Sequence, residues 1–136
     1  MALIHLDAGA IIGFLDQTDA HHAATRAALR NALHDGDRLA IAASALAESL
    51  VGPARRGTAA VQTVRLAERF PITVVELDAD IAVSAAELRA AHRALRLPDS
   101  FVIAIARHAS AEILVTTDRK WPTPKALGLA GSIKRL

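Results

Sequence analysis

Four acidic residues, Asp7, Glu48, Asp99 and Asp118, stand where this chain could do chemistry. Asp7 directly follows the apolar run Leu3-Ile4-His5-Leu6, and Asp118 closes Leu114-Val115-Thr116-Thr117-Asp118. Glu48 lies four residues beyond Ser44, on one face of a segment with helical spacing. Asp99 follows Pro98 and leads into the apolar stretch Phe101–Ala106. Carboxylates gathered from four distant segments repel one another and lose hydration, so their convergence calls for a cation. Oxygen donors select a hard divalent ion, Mg2+ or Mn2+, and the chain has no cysteine to recruit a softer one. One such ion, or two about 4 Å apart, activates a water and stabilises the charge that develops on a phosphodiester during in-line displacement. Taken singly, each acid also fits a plain structural use. Asp7, Asp99 and Asp118 can cap a helix or turn, and Glu48 can sit on a solvated helix face. Their joint placement is what points to chemistry.

The elements that must position them alternate in kind. Short, nearly continuous apolar runs at Leu3–Leu6, Leu39–Ala42, Ile72–Val75 and Ile113–Val115, with a weaker one around Ile133, suit buried parallel strands. Between them, helical spacing covers Ala10–Leu15, His21–Leu33, Ser44–Val51, Thr58–Phe70, Asp80–Leu95 and Ser100–Ala109. Asp19 and Asp78 are placed to cap the second and fifth helices, and Gly36 and Pro71 stop what precedes them. Phe101–Ala106 would serve as a strand, but its length and the Leu97-Pro98-Asp99-Ser100 start signal favour a helix buried all round. The alternation predicts one α/β domain over 1–136, with right-handed crossovers and helices on both faces of a parallel sheet. In such a sheet, ligands bind outside the carboxyl ends of the strands, where strand order reverses, and Asp7 and Asp118 fall at such ends.

Composition narrows the classes. The 136 residues are 52% hydrophobic and 22% charged, which excludes a disordered chain and sets one domain as the expectation. No apolar run approaches the ~20 residues of a membrane helix and no signal-peptide layout opens the chain, so a cytoplasmic protein with no membrane association is expected. The absence of cysteine excludes disulfide scaffolds, zinc–thiolate sites and thiol nucleophiles. With no tyrosine and 3% aromatics, a stacking platform for single strands is disfavoured. A net charge of +2 identifies no partner.

These residues, in this order and spacing, resemble the PIN-domain endoribonucleases, and within them the VapC-type toxins of bacterial toxin–antitoxin pairs. The resemblance spans essentially the whole chain. It is carried by Leu6-Asp7, by Glu48 in Ser44-Ala45-Leu46-Ala47-Glu48, by Asp99 in Leu97-Pro98-Asp99-Ser100-Phe101-Val102-Ile103-Ala104, and by Thr116-Thr117-Asp118 with Trp121 nearby. It implies a three-layer α/β/α sandwich around a central parallel sheet. It also implies a Mg2+-dependent endoribonuclease (Mn2+ being possible) in which Asp7, Glu48, Asp99 and Asp118 are the catalytic and metal-holding residues. Products would carry a 5′-phosphate and a 3′-hydroxyl. The family is usually homodimeric, acts as the toxin of its pair and is silenced by a cognate antitoxin. The chain departs from the pattern after Asp7: the family commonly places a hydroxyl residue within two positions, and here stand Ala8 and Gly9. Thr116 and Ser100 are the hydroxyls able to take that place.

Arg119 and Lys120, beside Asp118, are candidate contacts to RNA phosphates. The arginines at helical spacing (Arg26 and Arg30; Arg65 and Arg69; Arg89, Arg93 and Arg96) read as solvated helix faces. His21-His22 reads as an exposed helix start and His5 as a core histidine. Gly9-Ala10-Ile11-Ile12-Gly13 lacks the spacing of a dinucleotide loop, and its glycines read as helix packing. Ile11, Ile12, Phe14 and Leu15, with Leu50 and Val51, are expected to form a groove near the acids for an amphipathic antitoxin segment. Two other functions fit less well. A receiver-like Mg2+-binding signalling domain needs an acidic pair after the first strand, and Asp7 has no adjacent acid, although Glu76-Leu77-Asp78 follows Val75. A degenerate PIN-like domain that binds a partner without catalysis is suggested by Ala8-Gly9.

Overall fold

Four of the apolar runs form strands β1 (Leu3–Leu6), β2 (Arg38–Ala42), β3 (Ile72–Val75) and β4 (Ile113–Thr116), and β5 (Ser132–Arg135) follows, in a computed structural model that describes residues 1–136. All pair in parallel, in the order β3-β2-β1-β4-β5. The chain moves outward from β1 through β2 to β3, then crosses back to place β4 on the other side of β1. Strand order therefore reverses between β1 and β4, and the crevice at their carboxyl ends is where Asp7 and Asp118 lie.

Six helices, α1 (Ala8–Leu15), α2 (His22–His34), α3 (Ala43–Arg55), α4 (Ala59–Arg69), α5 (Ala79–Ala91) and α6 (Leu97–His108), complete a three-layer α/β/α sandwich. Ile4, Leu6, Leu39 and Val115 share a small apolar cavity of about 140 Å³ with Thr25 and Leu29, so α2 covers that sheet face. The alternate residues His5, Ala40 and Leu114 face the side along which α6 runs. Residues Val102 through Ala106 of α6 are all buried, as its unbroken apolar stretch predicts. No helix is long and apolar enough to cross a membrane.

The element types match the reading of the sequence, while several ends differ for local reasons. Helix α1 starts at Ala8 rather than Ala10, because the Asp7 carboxylate accepts from Ala10 N–H at 2.8 Å and caps the first turn. Asp19 does not cap α2. Its carboxylate accepts from His21 N–H in a turn, and the helix begins at His22 with no side-chain cap. Asp78 does cap α5, accepting from Ile81 N–H. That helix ends at Ala91 instead of Leu95, where Leu95 N–H turns back to the His92 carbonyl. Helix α3 continues past Val51, and its last turn is closed by Thr58, whose N–H and hydroxyl both bond the Pro53 carbonyl. Helix α6 begins three residues before Ser100, with Pro98 in its first turn, where a missing N–H costs nothing.

A candidate acidic active site at the strand crossover

Asp7 is 6% exposed at the end of β1. Besides Ala10 N–H, its carboxylate accepts from the Thr116 hydroxyl. Thr116 Oγ1 in turn accepts from Asp118 N–H at 3.0 Å, so one hydroxyl ties the end of β1 to the loop after β4. This is the hydroxyl that Ala8 and Gly9 do not supply. Ser100 does not serve here, because its hydroxyl donates back to the Arg96 carbonyl within α6. Despite these two donors, Asp7 has its pKa pushed up to about 6, above all because burial penalises the charged form; the like charge of Asp99 adds to that push. A carboxylate so placed favours any arrangement that brings it a cation.

Glu48 on α3, Asp99 on α6 and Asp118 after β4 line one open cleft of about 450 Å³ with Asp7. Asp99 is buried in the first turn of α6 and Glu48 is half-buried. Asp118 is oriented by Lys120, whose backbone N–H donates to Oδ1 at 2.7 Å. Arg119 and Lys120 are exposed at the rim of the same cleft. The structure thus brings together all four predicted acids and both predicted basic contacts. No three of the acids converge as a ready cage for a metal. The donors nonetheless fit a hard divalent ion: all are carboxylate oxygens, and Asp7 and Asp99 form a buried like-charged pair. Mg2+ is commonly held by one or two carboxylates with waters and substrate phosphates completing its shell.

Two participants escape a sequence reading. Thr117 packs its side chain against Gly9, and a Cβ at that glycine would collide with Thr117 Oγ1. Gly9 lets α1 and the β4 loop close on each other, as Gly13 lets α1 approach Thr25 of α2. Arg96 is not on a solvated helix face but is the residue preceding α6. Its Nε donates to Asp99 Oδ2 at 3.3 Å and its Nη2 lies 3.8 Å from Glu48 Oε1. The available signal was the Arg-x-x-Asp spacing ahead of the apolar run, where the backbone N–H of Arg96 also donates to Asp99. Other expectations change too. Arg26, Arg65 and Arg69 do not stand on separate faces but share a second cleft of about 430 Å³ with Phe14, Leu15 and His22. Helices α1 and α3 pack directly on each other, and of the residues expected to form an apolar groove there, Phe14 and Leu15 line this basic cleft with α2 and α4. Ile11 is fully buried. His22 is half-buried, with Nδ1 2.8 Å from the Gly13 carbonyl. His5 is a core residue, 1% exposed. A receiver-like arrangement is excluded by topology, since β3 is an edge strand and Asp78 caps α5 away from Asp7.

The profile of the PIN domain family matches residues 4–126. The chain is a PIN domain. Among solved structures, this PIN domain is similar to the VapBC2 complex of Rickettsia felis bound to promoter DNA (TM-score 0.72, 15% identity, 98% of each chain covered). It is also similar to a toxin–antitoxin complex from Klebsiella pneumoniae (TM-score 0.66, 21% identity, 98% of this chain and 96% of that one). A third is VapC20 of Mycobacterium tuberculosis, a toxin that cleaves the sarcin–ricin loop (TM-score 0.65, 16% identity, 82% and 86% covered). At these identities the likeness concerns the fold. No curated protein matches the sequence.

Proposed function

We propose that this PIN domain is a divalent-metal-dependent endoribonuclease and the toxin of a toxin–antitoxin pair. The observation that carries the reading is the cleft at the β1–β4 crossover, lined by carboxylates from four elements, in which the most buried of them, Asp7, has no basic side chain against it. Asp7 and Asp99 would hold the ion, with Glu48 and Asp118 completing or orienting its shell. A bound Mg2+ or Mn2+ supplies an activated water and a counter-charge for the phosphodiester. The chain's own part is to fix Asp7 through Thr116 and Ala10, and to offer Arg119 and Lys120 to phosphates at the rim. Cleavage in line would leave a 5′-phosphate and a 3′-hydroxyl. The same fold occurs in structures of toxin–antitoxin complexes, which supports a controlling antitoxin as partner, and a homodimer is the assembly proposed with it.

The test is cleavage of cellular RNA by the purified chain, with 5′ ends mapped by sequencing. Cuts are expected with Mg2+ or Mn2+, and none with a chelator or in Asp7→Asn or Asp99→Asn variants that remain folded. Cleavage that persists in the chelator would exclude the metal reading. Metal binding without cleavage of any RNA would instead mark a degenerate domain that binds a partner.

A further inference from the structure

The acidic cleft carries a cation of its own. Arg96 sits between α5 and α6, and its backbone N–H and Nε both donate to Asp99 Oδ2 at 3.3 Å. Its Nη2 stands 3.8 Å from Glu48 Oε1. Asp99 is the main influence on its charge, with Glu48 and Asp118 adding to it. The guanidinium therefore spans two of the four carboxylates that the proposed function gives to a divalent ion.

How firmly it is held decides what it does. A guanidinium that orients a ligand for a metal is fixed by short, buried hydrogen bonds, near 2.7–2.9 Å for charged pairs. Here both side-chain contacts are longer and the Arg96 side chain is 69% exposed. Such a pair is weak, screened and easily exchanged. It also leaves Asp7 uncovered: the donors to that carboxylate are a hydroxyl and one backbone amide, and no basic group. A divalent ion drawn to Asp7 and Asp99 brings twice the charge of the guanidinium to an oxygen set that Arg96 already occupies in part. Two cations crowded against the same carboxylates repel, and the exposed, flexible one yields.

We propose that Arg96 is an exchangeable counter-ion of this cleft, which bridges Glu48 and Asp99 while no divalent ion is bound and competes with that ion for them. The proposal rests on the reading that the cleft binds such an ion. Through this competition the chain itself sets how much metal it needs.

The experiment is titration calorimetry of the full chain with Mn2+ alone and no RNA, on wild type, Arg96→Gln and Arg96→Lys, with folding checked by circular dichroism. The glutamine variant keeps the backbone N–H that bonds Asp99, and Arg96→Ala replaces it should it fold poorly. Losing the competitor should tighten Mn2+ binding about two- to fivefold at low ionic strength, the range of an exposed ion pair. Added salt should close the gap. Arg96→Lys, which keeps the charge, should stay within about twofold of wild type. Equal or weaker binding by Arg96→Gln at low salt overturns the proposal. If wild type binds Mn2+, Asp99→Asn loses it and Arg96→Gln changes nothing, the metal site stands and only the competition falls. If none of the variants binds Mn2+, the metal reading falls as well.

Discussion

Asp7 caps a helix with a charge that its surroundings disfavour. Its pKa is raised from 3.8 to about 6 by burial, so below pH 4 folding is indifferent to it, and above pH 6 the folded state carries a penalty of about 3 kcal/mol. Asp7→Asn keeps an oxygen to cap α1, removes the buried charge and weakens the bond from Thr116, a loss of about 1 kcal/mol. The variant should therefore be more stable than wild type at pH 8 by about 2 kcal/mol, while RNA cleavage is lost. Urea unfolding without metal measures the first, and a variant less stable than wild type at pH 8 contradicts the assignment of a strained carboxylate. His5 works in the opposite sense. Its pKa is lowered to about 4 by burial, so it is neutral and harmless above pH 6.5, and below pH 4 it costs the folded state about 3 kcal/mol. Between pH 4 and 6 stability gained at His5 as pH rises offsets stability lost at Asp7, and wild type should be nearly flat there. In Asp7→Asn only the histidine remains, and its stability should climb by about 3 kcal/mol from pH 4 to 6.5. A flat profile in that variant would show that His5 titrates normally. At this scale the four acids were legible, because Asp7 and Asp118 follow strands, Asp99 opens a helix, and Glu48 falls one turn beyond Ser44 in the helix after β2. Arg96 was not: the spacing ran α5 on to Leu95, and only the turn at His92 frees Arg96 to fold over Asp99.

The elements matter by how closely they approach. Gly9 faces Thr117 with no room for a side chain, and that contact sets the distance between the start of α1 and the loop carrying Asp118. Gly9→Ala would raise helix propensity by about 1 kcal/mol, and pushing Thr117 aside costs a similar amount, so stability should change by less than about 1 kcal/mol. Thr117 and the Asp7 carboxylate, both of which the new Cβ would press on, should nonetheless lose their geometry. A drop of tenfold or more in cleavage, on the order expected for a small misplacement of catalytic groups, is the predicted outcome. Calorimetric unfolding and an RNA cleavage assay on the same preparation separate the two effects, and unchanged cleavage would show that this contact is only packing. The element types were readable because strands buried on both faces and helices with a 3.6-residue period leave different patterns. Their ends were less so, since Asp7, Thr58 and Asp99 settle them through hydrogen bonds to backbone groups three to five residues away. The basic cleft was hidden for a related reason: Arg26 lies on α2 and Arg65 and Arg69 on α4, and only the packing of α2 on α1 and of α4 on α3, with Phe70 against Phe14, brings them together.

Across the whole molecule, α1 joins two clefts of different charge. The acidic one opens at its first turn, around Asp7, Gly9 and Ile12, and the basic one at its last, around Phe14 and Leu15. Eight residues of helix put these ends about 12 Å apart, within reach of a single bound peptide segment. The basic cleft is firmly built. Phe14 packs edge-on against Phe70 with ring centroids 5.1 Å apart, and the Arg69 guanidinium lies over the Phe14 ring. An antitoxin segment matched to this surface carries acidic residues for Arg65 and Arg69, an apolar anchor beside Leu15, and a basic residue for the acids beyond. Phe14 is too much a part of the fold to test this cleanly, but the exposed arginines are not. Reversing both, Arg65→Glu with Arg69→Glu, should weaken binding of the proposed antitoxin partner by tenfold or more, about 1.4 kcal/mol or above. Cleavage by the free protein should stay within about twofold of wild type, since neither arginine lines the acidic cleft. The opposite result, an intact complex with impaired cleavage, would give this cleft to the RNA backbone and leave the antitoxin to another face.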